Sequence, residues 1–277
     1  MITLPAYPPP PTAPVDLTVP ALNSTIVLAA LSAVGIAGLG WAVVDGVRNR
    51  NVKFLAIFLG GLATSLLEPF ADLLGLVWFP VHDQVHAFTA LGIPIPLFVV
   101  VGYTNLFGLM PLIMQRGMGS TRRRYWGVSA TMLLGACVFE WLLLRAGTYL
   151  YYGNQPLDVW GYPMIWMTIN TGACLVAAIV VFRFPSFFTG PRALLAIVLT
   201  PCADGAVMLG TGWPAFAAIH SDWPAVVVHL LGLVTIGLGM VLYVVGAEIC
   251  CADGRLRGGA PVVGAPRPER AVEEARA

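Results

Sequence analysis

The placement of basic residues constrains this chain more than any other feature of its sequence. Fourteen of its fifteen Lys and Arg residues fall in alternate gaps that flank long apolar segments. Basic residues collect on the cytoplasmic side of membrane proteins, so this pattern predicts an integral membrane protein with a fixed orientation. The exception, Arg145, lies inside an apolar segment close to Glu140.

Composition supports the same class. The 277 residues are 58% hydrophobic and 10% charged, with a mean hydropathy of +0.81. Apolar stretches of about 20 residues have the length needed to cross a bilayer. The net charge of +1 and the lack of basic stretches interleaved with aromatics exclude a nucleic-acid partner. No glycine-rich phosphate loop, nucleophile elbow or dinucleotide fingerprint supports NTP-driven transport or serine hydrolysis.

The apolar segments predict an all-α bundle of seven transmembrane helices in the cell membrane, with the N-terminus outside and the C-terminus in the cytoplasm. The predicted spans are 26–44, 53–79, 96–115, 126–146, 162–182, 193–210 and 223–247. The second span is long enough to tilt or to break near Pro69. Residues 1–22 are rich in proline and are predicted to be a solvated, disordered tail, with 23–250 as the membrane domain. The polar residues 251–277 are predicted to be a disordered cytoplasmic tail.

Several acids remain inside the spans, where a charge is costly and normally faces a protein interior with a partner or a task. Counting helical rise from the inner edge places Glu68 and Glu140 in the outer third of the bilayer. Asp72 lies one turn beyond Glu68 on the same helical face, and Asn170 lies at a similar level. These side chains are predicted to share one pocket that opens toward the outer leaflet. A carboxyl group in a dry pocket favours its protonated form and can act as an acid near neutral pH.

Other polar residues in the spans have two interpretations. Asp204 and Asn105 lie nearer the midplane, where they could contact a substrate or lock two helices together by a hydrogen bond. Arg145 could neutralise one of the acids, or its side chain could extend to the outer surface.

Two outer segments also contain candidate residues. Tyr149, Tyr151 and Tyr152 belong to a compact loop that could be an interfacial aromatic girdle or a lid over the pocket. His82 and His86 share a face if their segment is helical, and two imidazoles can bind a metal. A solvated surface pair is the alternative, and no metal site is predicted.

A weak internal similarity links spans two, four and six. Each contains an acid followed six or seven residues later by a glycine, as in Asp204 and Gly210. Three repeated helical hairpins after one extra helix would explain it, and so would chance in an apolar, glycine-rich chain.

Part of the chain, roughly from Glu68 to Pro185, resembles the AveC-like spirocyclase family of bacterial membrane proteins. The resembling residues are Glu68-Pro69 with Asp72, Glu140 followed by Arg145, Gly147, Tyr149, Tyr151, Tyr152 and Gly153, then Gly161-Tyr162-Pro163 and Asn170. A similar order of acid, glycine, tyrosine and proline residues occurs in membrane carotenoid hydratases and cyclases.

The resemblance implies an enzyme of secondary metabolism that cyclises or dehydrates a lipophilic polyketide-type substrate by acid–base chemistry, without a cofactor. Glu68 or Glu140 would be the acid, and the other carboxylate or Asp72 would stabilise the cation and accept a proton. Arg145 would keep one carboxylate ionised, and Asn170 would orient the substrate. The alternatives are an isoprenoid hydratase or cyclase, a small-molecule transporter and an accessory membrane protein. The oligomeric state is left open.

Overall fold

The structure is a computed structural model that describes residues 11–251. Seven helices within this range are long and apolar enough to cross a membrane, which confirms the predicted all-α seven-helix bundle. They are α1 (Ala21–Asn49), α2 (Lys53–Gly75), α3 (Leu97–Gly117), α4 (Arg122–Arg145), α5 (Ile165–Arg183), α6 (Gly190–Ile219) and α7 (Ala225–Cys250). The predicted tail segments 1–10 and 252–277 lie outside the described residues.

Three short antiparallel strand pairs lie in the segments that connect α2 to α3 and α4 to α5. The pairs are β1 (Val77–Trp78) with β4 (Leu150–Tyr151), β2 (His86–Ala90) with β3 (Ile93–Pro96), and β5 (Asp158–Val159) with β6 (Tyr162–Pro163). We call the face that carries these strands the outer face, in keeping with the predicted orientation.

The second span breaks close to the predicted position. It is α-helical over Lys53–Thr64, forms a 3-10 turn over Ser65–Leu67 and becomes α-helical again over Glu68–Gly75. Pro69 has no N–H to donate and is compatible with the first turn of a new helix. Glu68 therefore begins a separate two-turn helix near the outer face.

The third span is also irregular. Between Leu97–Tyr103 and Met110–Met114 it contains a π-helical segment, Thr104–Leu109. A π-turn is wider than an α-turn, so it changes the direction of the side chains that follow it. Asn105 in this segment donates a hydrogen bond from Nδ2 to the Leu31 carbonyl at 2.9 Å, which joins α3 to α1.

Close backbone contacts fix the inner half of α2. A Cβ atom at Gly60 would lie 2.5 Å from Thr200 Oγ1, and one at Gly61 would lie 2.5 Å from the Gly108 nitrogen. Small residues allow membrane helices to approach in this way. The break at Ser65–Leu67 then sets the direction of the outer half.

Two sequence predictions about segment ends are wrong. Residues 11–20 are not a free tail, because Val19 is buried and Pro11 atoms would lie 3.3 Å from a Cβ atom at Gly153. Helix α6 does not end near Gly210 but continues to Ile219. It passes Pro214 with support from α7, since the Ala215 N–H donates to Thr235 Oγ1 at 3.2 Å.

Candidate functional site

A cavity lies beneath the strands of the outer face. Its volume is about 610 Å³ with the open space at its mouth included. Residues from α1, α2, α3, α4 and α5 line it, together with the segments around β1 and β4. The lining residues that the sequence analysis selected are Glu68, Asp72, Glu140, Tyr149, Tyr151 and Asn170.

One wall of the cavity is the short helix Glu68–Gly75. Its two acids are one turn apart and are 8% and 1% exposed, respectively. The two Asp72 carboxyl oxygens are buried, and neither has a hydrogen bond of ordinary geometry within residues 11–251. The carboxyl group of Glu68 is its charged neighbour. Burying a polar group without a full set of hydrogen-bond partners costs free energy.

Tyr103 of α3 donates a hydrogen bond to Glu68 Oε2 and also lines the cavity. Sequence patterns did not predict Tyr103 as a site residue. Its position in the outer half of an apolar span, two residues before Asn105, is the signal that could have identified it. A buried phenol hydroxyl needs a partner, and a neighbouring acid is the partner available in a membrane interior.

A second wall of the cavity is formed by α4. Glu140 is half-buried and accepts a hydrogen bond from the Tyr149 hydroxyl, which lies just beyond the end of the same helix. The Glu140 and Glu68 carboxyl groups are near enough to interact electrostatically. The structure therefore brings the two predicted acids to one space.

The roof of the cavity is the β1–β4 pair. Val77 and Tyr151 are opposite one another in this pair and both line the cavity. Burial, followed by the nearby charge of Glu140, raises the pKa of Tyr151 well above its ordinary value. Tyr151 therefore presents a neutral phenol to the cavity at physiological pH.

Trp166 of α5 was also missed by the sequence analysis. It lines the cavity, and its Nε1–H group is buried with no acceptor within residues 11–251. A Cβ atom at Gly75 would lie 2.3 Å from the Trp166 ring, so the glycine at the end of α2 makes space for this indole. Several tryptophans lie near span ends in the sequence, and only the packing distinguishes this one from the others.

Arg145 is not part of the site, and the prediction that it keeps a carboxylate ionised is wrong. It is the last residue of α4, is exposed and forms no salt bridge in the described part of the chain. Five residues rotate a helix by about 140° beyond a full turn, so Arg145 and Glu140 lie on different faces. No Lys, Arg or His side chain lines the cavity among the described residues.

Three further predicted residues lie outside the cavity lining. Asn105 joins α3 to α1, which favours its structural interpretation. Asp204 of α6 is 3% exposed and interacts electrostatically with Glu68, so it lies behind the wall that Glu68 forms. Tyr152 donates its backbone N–H to the Leu76 carbonyl at 2.9 Å and so supports the roof. Burial, and to a lesser extent Asp72, raise the pKa of its phenol.

His82 and His86 lie in the segment between α2 and α3. His86 lies in β2, so the two residues do not share a helical face as the sequence analysis had considered. Within residues 11–251, no group of three or more His, Cys, Asp or Glu side chains is arranged to hold a metal ion.

No protein-family model, curated protein or solved structure matches the chain.

Proposed function

We propose that this chain is a membrane enzyme that uses acid–base chemistry to cyclise or dehydrate a lipophilic polyketide-type substrate. The resemblance to the AveC-like spirocyclase family suggests the reaction class. The observation that carries the proposal is that Glu68, Asp72 and Glu140 line one largely apolar cavity from two different helices. Two carboxyl groups from different helices that face one space can act as an acid and a base.

In the proposed reaction a dihydroxy-ketone first forms a hemiketal in the cavity. One glutamic acid protonates the hemiketal hydroxyl, which leaves as water and produces an oxocarbenium ion. The second hydroxyl attacks this carbon, and a carboxylate on the other wall accepts its proton. The net change is a spiroketal plus one water, and the two carboxyl groups have exchanged protonation states.

The same groups could protonate an alkene, which keeps an isoprenoid hydratase or cyclase as the alternative substrate class. In either reaction the positive charge develops between carboxylates, which stabilise it most strongly where water is excluded. The hydrogen bonds from Tyr103 and Tyr149 orient the two glutamates toward the cavity.

The test uses the full chain in lipid nanodiscs and a synthetic dihydroxy-ketone that closes to a chiral spiroketal. Chiral chromatography measures the rate and the enantiomeric excess of the product, because the spontaneous reaction gives a racemate. We expect Glu68→Gln and Glu140→Gln each to lower the enzymatic rate at least about 100-fold, the scale of general acid–base catalysis.

Asp222→Asn provides the matched control, since Asp222 is an exposed acid between α6 and α7. This variant should keep the wild-type rate and enantiomeric excess. Full activity in folded Glu68→Gln and Glu140→Gln proteins would refute the proposal.

A further inference from the structure

The cavity has an unusual combination of lining side chains. Seven of its lining residues are aromatic and three are carboxylic acids, whereas none of the lining residues is Lys, Arg or His. Aromatic faces carry partial negative charge and attract cations. Carboxyl oxygens add further partial negative charge, and no basic lining residue offsets it, so a cavity of this kind disfavours anions.

Asp72 indicates where a ligand would bind. Its carboxyl group is almost fully buried, lines the cavity and has no hydrogen bond of ordinary geometry within residues 11–251. Glu68, one turn away, already accepts a hydrogen bond from Tyr103. The carboxyl group of Asp72 has only that of Glu68 as a neighbouring partner, so Asp72 is the acid with the most capacity left to pair with a ligand.

We propose that the cavity binds a lipophilic organic cation, with its charged nitrogen beside Asp72 and its apolar body against the aromatic rings. The inference rests on the same cavity as the proposed function and extends it, because a bound ammonium ion would imitate the positive charge of the oxocarbenium ion. It does not require that the chain complete a reaction.

The other ligand classes fit less well. An anion would face three acids without a basic partner. A neutral apolar molecule would offer the buried Asp72 carboxyl group no partner beyond the neighbouring Glu68, and a buried polar group without a full set of partners costs free energy. An ammonium ion satisfies Asp72 and gains cation–π attraction from rings such as Tyr151 and Trp166.

The test compares two probes of similar size, the permanent cation 1-adamantyltrimethylammonium and the neutral 1-adamantanol. Binding of each to the full chain in nanodiscs is measured by calorimetry, with empty nanodiscs subtracted to remove lipid partition. We expect the cation to bind at least about ten times more tightly, the scale of one desolvated cation–π contact with a charge partner. Equal or tighter binding of the neutral probe would overturn the inference, and this comparison needs no variant.

A variant then locates the site. Asp72→Asn should remove most of the preference for the cation, while the exposed control Asp222→Asn should keep it. An unchanged preference in folded Asp72→Asn protein would overturn the placement of the cation. If the chain binds the cation but forms no spiroketal, the cyclase proposal is refuted and the cation-binding inference is retained.

Discussion

The two acid-bearing walls of the cavity have the same order of structural elements, but their glutamates have different hydrogen-bond partners. On each wall a glutamate lies near the outer end of a helix, a left-handed residue follows (Leu76 at φ 53° or Gly147 at φ 72°), and a strand of the β1–β4 pair comes next. Glu68 receives its hydrogen bond from Tyr103 of another helix, and Asp72 and Asp204 lie nearby. Glu140 receives its hydrogen bond from Tyr149, nine residues later in the same segment.

This difference suggests that the walls have different tasks. The Glu68 wall is a group of acids whose protonation states depend on one another. One carboxyl group of this wall can therefore be protonated while its neighbour is ionised. The Glu140 wall has a single acid with a local partner, and it interacts with the first wall through the Glu68 carboxyl group alone, so it is the less strongly coupled proton donor or acceptor. Changes at the first wall should therefore propagate to other helices, whereas changes at the second should stay local.

The largest expected contrast concerns the glycines at the two helix ends. Gly75→Ala should lower the free energy of unfolding by about 3 kcal/mol, because the new Cβ overlaps the rigid Trp166 ring. Gly147→Ala should cost only about 1 kcal/mol, since nothing lies within 4 Å and only the left-handed backbone opposes a side chain. Denaturant unfolding in bicelles measures both. Equal losses would show that the Trp166 contact does not set the end of α2.

The tyrosine partners give the next contrast. Tyr103→Phe should cost about 2 kcal/mol, because the donor to Glu68 is removed in a buried group of acids. Tyr149→Phe should cost about 1 kcal/mol, since Glu140 is half-buried and can recruit water. The same unfolding measurement compares them, with the double variant as a test of additivity. A coupling energy as large as the single losses would contradict the difference between the walls.

A smaller effect of opposite sign is expected at Asp72. Asp72→Asn should raise the free energy of unfolding by about 1 kcal/mol, because an amide is uncharged at every pH and can always donate to Glu68, whereas the acid must first be protonated. Glu140→Gln, at an acid that already accepts a hydrogen bond, should not stabilise the protein. The expected gain at Asp72, coupled to lost cation binding, would mark a residue kept for function at the expense of stability. A loss of stability in Asp72→Asn would instead indicate a structural role.

The smallest effect concerns the tyrosines near Glu140. Burial, and then the charge of Glu140, raise the pKa of Tyr151 and Tyr162 well above the ordinary value. Tyrosines in the unfolded chain ionise at roughly pH 10. Above that pH the folded state binds more protons than the unfolded state, so the free energy of unfolding falls as the pH rises. Phenolate absorbance should show these two groups ionising late. Glu140→Gln should lower their ionisation midpoint more than Glu68→Gln does, and the reverse order would place the phenols nearer the other wall.

Much of this arrangement follows from sequence periodicity and charge. Each of the seven spans is recognised by the length of its apolar segment, which is a local property of the sequence. The seven-helix bundle was therefore predictable and is confirmed. Helical spacing predicted that Glu68 and Asp72 share a face, and counting rise predicted that Glu140 lies at the same depth. The structure brings all three to one cavity.

The failures have a different origin. Tyr103 and Trp166 are selected by contacts between helices, which no local pattern specifies. Arg145 was included because it is near Glu140 in sequence, although five residues place it on another helical face. The internal similarity also holds only in part, since the third copy has no turn after Gly210 and its helix continues to Ile219.

The direct continuation of both acid-bearing helices into β1 and β4 has a mechanical consequence. Leu76 alone separates α2 from β1, and a few residues around Gly147 separate α4 from β4. Neither strand can therefore shift far without rotating the helix that precedes it. A ligand that pushes the roof upward must therefore change the spacing between the two glutamates. Ligand entry and the alignment of the two glutamates would then be parts of one motion. That motion would be complete when β1 and β4 are paired again in their original register.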